Sequence, residues 1–191
     1  MSPRSKFRAP GVFVAAAVAV LLPAAGAPAA PRFAPLSGWD AAVLERARTG
    51  AARRLEAPAC QQVLSEFMDP EGRTLTAVLD TWQRTPSEYL LQAITFLDGS
   101  TLQNCKKGTV PLVTSRGQLP VFVCPAGGST PGSRFARVQL ENPTLAEIMV
   151  IHEMLHTLGL GENPPTTFEI TDRVVARCGD RALAERSPST R

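Results

Sequence analysis

The chain has 191 residues, of which 44% are hydrophobic and 19% charged. That is enough to bury the core of one domain. The formal net charge is +3, but Arg4, Lys6 and Arg8 fall in an N-terminal stretch without acidic residues, and the remainder balances seventeen cations against seventeen anions. A near-neutral chain carries no electrostatic footprint for nucleic acid or for an anionic membrane surface, and neither is expected as a partner.

Residues 1–29 read as an export signal. A basic start to Arg8 is followed by the apolar run Val12 to Leu22 and by the small residues Ala24 to Ala30, where a signal peptidase can cut. The apolar run is eleven residues, short of the roughly 20 needed to span a bilayer, so no stable membrane insertion is expected after cleavage. The expected location is secreted, extracellular or periplasmic. There, Cys60, Cys105, Cys124 and Cys178 are expected to form disulfides rather than thiol ligands. The favoured pairing is Cys105 with Cys124, stapling neighbouring extended segments, and Cys60 with Cys178, tying an early helix to the last. No Cys-x-x-Cys spacing suggests a cysteine zinc site.

Pro31 to Pro35 is a loose lead-in. Asp40 to Leu55 has helical composition with Asp40 as its cap, and Ala57-Pro58 interrupts it. Residues 30–58 form an N-terminal lead-in and helix, with a removable pro-segment as one reading. Cys60 to Met68 places Cys60, Val63, Leu64 and Phe67 on one helix face, and Leu75, Val78, Leu79 and Trp82 mark another short helix. Thr85-Pro86-Ser87-Glu88 has the form of a capping box. Strands are expected over Ala93 to Leu97, Thr109 to Thr114, Leu119 to Cys124 and Arg134 to Leu140, separated by Gly-rich turns. Lys106-Lys107 reads as a solvated turn.

A longer helix begins at Asn142-Pro143-Thr144-Leu145-Ala146-Glu147, capped either by Asn142 or by Thr144 with Glu147. It runs to about Leu158 and stops at Gly159. It contains His152-Glu153-Met154-Leu155-His156, and these histidines are the only two in the chain. At 100° per residue, Leu145, His152 and His156 fall within about 40° of one another, with Val150, Ile151, Met154 and Leu158 on the far side. Histidines at i and i+4 can both reach one metal ion from successive turns. Glu153 sits about 60° round from His156, beside the metal face, as a general base should. Zinc lowers the pKa of a bound water to near 7, and Glu153 is placed to take its proton during attack on a carbonyl and to return it to the leaving amine. Zinc needs a third protein ligand. Glu162, Glu169 and Asp172 compete for that position, although Thr166-Thr167-Phe168-Glu169 also has the form of a capping box for a last helix ending near Gly179. Tyr89 is either an oxyanion donor or a core aromatic, and Arg173 and Arg177 are further cleft candidates.

The pattern His152-Glu153-x-x-His156-x-x-Gly159-x-x-Glu162 resembles the extended motif of the metzincin clan of zinc metallopeptidases, with Glu where that clan usually has His. The resemblance covers about twelve residues. It implies a zincin-like single α+β domain: a small mixed sheet packed on an active-site helix with flanking helices, here stabilised by disulfides. It also implies Zn2+ as cofactor, His152, His156 and Glu162 as ligands, and Glu153 as catalytic base. No methionine follows Met154, so the clan's methionine turn is missing, and a glutamate ligand is also a feature of the gluzincins. The expected function is a secreted zinc metalloendopeptidase acting on a peptide or protein substrate, with residues 59–180 as the catalytic domain and 181–191 as a tail. The alternative is a secreted zinc-containing binding or structural module that keeps the scaffold without turnover.

Overall fold

The computed structural model describes residues 33–127 and 132–180. The export signal expected over 1–29 and the tail expected over 181–191 lie outside the described residues. Helix α1 spans Gly38–Leu55. Its cap is Ser37 rather than Asp40: the Ser37 hydroxyl accepts from the Asp40 amide, while the Asp40 carboxylate accepts from the Ser37 hydroxyl and from the distant Ser133 amide. The expected single helix from Cys60 to Met68 is instead two short turns, α2 (Pro58–Gln61) and α3 (Val63–Glu66). Cys60, Val63 and Leu64 are nevertheless buried, so the expected inward face survives the break.

Helix α4 (Leu75–Asp80) is capped by Thr74, whose hydroxyl accepts from the Ala77 amide. Helix α5 (Pro86–Gln92) has both bonds of the expected capping box between Thr85 and Glu88. Next come β1 (Thr95–Asp98), α6 (Gln103–Lys107), β2 (Leu112–Thr114) and β3 (Pro120–Val123). Residues expected as a fourth strand form helix α7 (Arg134–Glu141). The segment follows a Gly-rich loop as a strand would, but the Ser133 hydroxyl accepts from the Ala136 amide and so caps a helix. Phe135 and Ala136 then point into the core.

Helix α8 (Pro143–Thr157) begins at the first of the two competing caps: the Asn142 side chain accepts from the Leu145 amide, with Pro143 at the first position. Helix α9 (Thr167–Cys178) has the complete Thr166/Glu169 capping box and ends at Gly179. The three strands form one mixed sheet in the order β1-β3-β2. β1 runs parallel to β3, with Thr95 opposite Pro120, and β2 runs antiparallel to β3, with Leu112 opposite Val123. This leaves β2 at an edge of the sheet, and β2 packs on α8.

α8 is the centre of the core. Ile148, Ile151, Met154 and Leu155 are fully buried, and α1, α7 and α9 all pack against it. α1 offers Val43, Ala47, Ala51 and Leu55, each fully buried, as a stripe at helical spacing. The helix expected in a removable lead-in is therefore built into the same core as the residues after Pro58. A mostly buried ion pair pins the contact: Arg54 Nε lies 2.5 Å from Glu147 Oε2, and Arg54 also donates to the Cys178 carbonyl and the Thr144 hydroxyl. Gly50 makes room for it, since a Cβ there would stand 2.0 Å from Glu147 Oε1. Disulfides join Cys60 to Cys178 and Cys105 to Cys124, the pairing favoured from the sequence. The first fastens α2 to the end of α9, and the second fastens α6 to the end of β3. The pairs fit folding in an oxidising compartment, and no described helix is long and apolar enough to cross a membrane.

Candidate metal centre

α8 delivers both histidines to one place. His152 and His156 are buried, and their Nε2 atoms lie 3.0 Å apart. The helix then stops in a Schellman turn. Gly159 takes a φ of +108°, its amide donates to the His156 carbonyl, and the Leu160 amide donates to the Leu155 carbonyl. The turn folds the chain back so that His156 Nδ1 meets the Leu160 carbonyl at 2.9 Å. A carbonyl can only accept, so Nδ1 carries the proton there, and in the neutral ring Nε2 keeps its lone pair. The turn after β2 locks onto the same helix end, where the Gly117 amide donates to the His156 carbonyl.

The returning chain brings Glu162 to the histidines. Its Oε1 lies 3.3 Å from His156 Nε2 and 3.9 Å from His152 Nε2. Ligands about 2.0–2.1 Å from a tetrahedral zinc stand about 3.3–3.4 Å from one another, and the three observed separations bracket that value. Two imidazole nitrogens and one carboxylate oxygen also form a donor set that suits zinc. Burial and the neighbouring His156 push the His152 pKa down to about 4, so its ring is neutral and its nitrogen available at neutral pH. Among the described residues, His152, His156 and Glu162 are the group that can hold a metal ion. Glu169 is taken up by its capping box, where its carboxylate accepts from the Thr166 amide and hydroxyl, and Asp172 does not join the cluster.

Helix α9 supplies two supports that the sequence did not reveal. The Thr171 hydroxyl lies 3.1 Å from His152 Nδ1, which turns Nε2 toward His156 and Glu162. One helical turn earlier, the Thr167 hydroxyl donates to Glu162 Oε1 at 2.5 Å. The i, i+4 spacing of these threonines is visible in the sequence, but its meaning depends on α9 packing beside α8.

Glu153 lines the same cleft, which has a volume of about 830 Å³ and is walled by β2, the α8 face and the start of α9. Burial raises the Glu153 pKa, partly offset by the neighbouring Thr114 hydroxyl and by His156. Its carboxyl therefore holds a proton more readily than an exposed glutamate does, the direction a general base that also returns its proton requires. Tyr89 is core rather than cleft: it is fully buried, and its hydroxyl donates to Thr157 Oγ1. Arg173 and Arg177 do not line the cleft. Both pair with Glu66 on another face of α9. The chain matches no family model, no curated protein and no solved structure.

Proposed function

We propose that the chain is a secreted, zinc-dependent peptidase on a zincin-like domain, with His152, His156 and Glu162 as ligands and Glu153 as general base. The observation that carries the reading is the convergence of three mutually adjacent ligand atoms and a carboxyl of raised pKa in one cleft. The motif's resemblance to metzincins adds to it, as do the leader-like N-terminus and the two disulfides. When bound, zinc supplies Lewis acidity, which polarises a carbonyl and acidifies water.

The chain's own residues do the rest. Glu153 takes a proton from the attacking water and passes it to the departing amine, a role that calls for a carboxyl pKa above the usual range. Thr171 and the Leu160 carbonyl hold each imidazole by Nδ1, so that both Nε2 atoms face the cleft. Thr167 fixes the Glu162 carboxylate. β2 lies at an edge of the sheet and lines the cleft, where an extended peptide can lie.

The test is peptide hydrolysis by the wild-type chain and by Glu153→Gln. The variant should keep its fold and its metal while losing about 10²- to 10⁴-fold in kcat, the usual contribution of a general base. Hydrolysis by Glu153→Gln at the wild-type rate would rule out Glu153 as the base.

A further inference from the structure

The charges of the cleft are unevenly distributed. Apart from Glu153 and Glu162, the charged side chains that line it are Lys107 and Arg116, both cations and both exposed. Neither makes an ion pair among the described residues. Arg48, Arg54, Arg73, Arg173 and Arg177, by contrast, each face a carboxylate.

The position of Arg116 is set by the architecture of the site. It lies in the turn after β2, whose next residue, Gly117, is bonded to the His156 carbonyl at the end of α8. Its guanidinium passes over Gly161, where a Cβ would stand 2.8 Å from Nη1 and 3.6 Å from Cδ. Gly161 leaves room for that path, and the cation lies beside the Glu162 loop. Lys107 closes α6, which packs against β2, and it lines the same cleft as Arg116. A peptide laid in the cleft would meet both a guanidinium and an ammonium.

We propose that this cleft selects peptides with an aspartate or glutamate close to the bond that is cut, with Arg116 as the principal recognition residue and Lys107 as the second. The proposal rests on the peptidase reading above. An unpaired guanidinium recognises a carboxylate by two parallel hydrogen bonds, whereas an ammonium acts as a point charge. Because both cations are exposed, each contributes a modest factor, about fivefold at most for a single pair. The preference should weaken as ionic strength rises.

The test is cleavage of a degenerate peptide mixture by the zinc-loaded full chain, with the cut sites read by mass spectrometry. It is followed by kcat/KM for matched peptides in which Glu near the cut is replaced by Gln. Acidic residues should be enriched near the cut, and the Glu peptide should be favoured by up to about fivefold. Arg116→Glu should bind zinc as before and reverse the preference toward Lys and Arg, and Lys107→Glu should do so more weakly. Efficient cleavage without acidic enrichment, or an unchanged profile in Arg116→Glu, would overturn the specificity while leaving the peptidase reading intact. No cleavage of any peptide by the zinc-loaded wild type would overturn both.

Discussion

Removing the Cys60–Cys178 disulfide should cost more stability than removing Cys105–Cys124, and the loops predict by how much. The bonds close segments separated by 118 and 19 residues. With the chain-entropy relation, such loops contribute about 4.9 and about 3.2 kcal/mol at 25 °C. All four cysteines are buried, so replacing each pair by alanine adds a similar packing cost, and the difference of about 1.6 kcal/mol is what tests the entropic account. The longer bond also reaches the site. It anchors the end of α9, which carries both Thr167 and Thr171, so its loss should weaken zinc binding as well as folding. Denaturant titration of the two double variants gives the stabilities, and competition with a chromogenic chelator gives the metal affinity. A larger stability loss in the Cys105/Cys124 variant would refute the loop argument. Unchanged zinc affinity in the Cys60/Cys178 variant would refute the coupling of α9 to the site.

Thr171→Val keeps the shape of the side chain but removes the hydroxyl beside His152 Nδ1. Zinc affinity should fall by about 10- to 100-fold with little change in folding, and a variant that binds zinc like the wild type would show that Thr171 does not orient the ring. Glu66 gives a pH prediction. Burial pushes its carboxyl up, but hydrogen bonds from Arg177 and Arg173, together with their charges, outweigh burial and hold it below the ordinary 4.5. A carboxyl lowered in the folded state stabilises above its unfolded value, and that stabilisation is lost as pH falls below about 4.5. The stability gap between wild type and Glu66→Gln should therefore be widest near neutrality and close in acid. A gap that stays constant from pH 7 to pH 3 would contradict the pairing with Arg173 and Arg177.

The local features of the site could be read before the structure because their causes are local. Asn142-Pro143 and the Thr166/Glu169 box cap α8 and α9 by short-range hydrogen bonds, and Gly159 stops α8 because the turn needs a positive φ. His152 and His156 share a face by helical geometry alone. The misreadings arose where short signals compete. Arg134 to Leu140 follows a Gly-rich loop as a strand would, yet Ser133 supplies a cap and Phe135 a core anchor, and the helix wins. Glu162 is favoured over Glu169 by the motif and by the Thr166/Glu169 capping box, but the path that brings it beside the histidines depends on the Schellman turn and on Thr167 arriving from another helix. Thr171 and Arg116 lie 19 and 36 residues from His152 in sequence, and only packing makes them neighbours of the site.

The most direct test of the account is the zinc content of the purified chain after dialysis against micromolar zinc, compared with that of His156→Ala and Glu162→Ala. The account predicts one tightly held zinc per wild-type chain, none held by His156→Ala, and weakened binding by Glu162→Ala, with each variant's fold verified by circular dichroism. A wild-type chain that emerges without zinc, or zinc that stays equally tight when His156 is replaced, would contradict it.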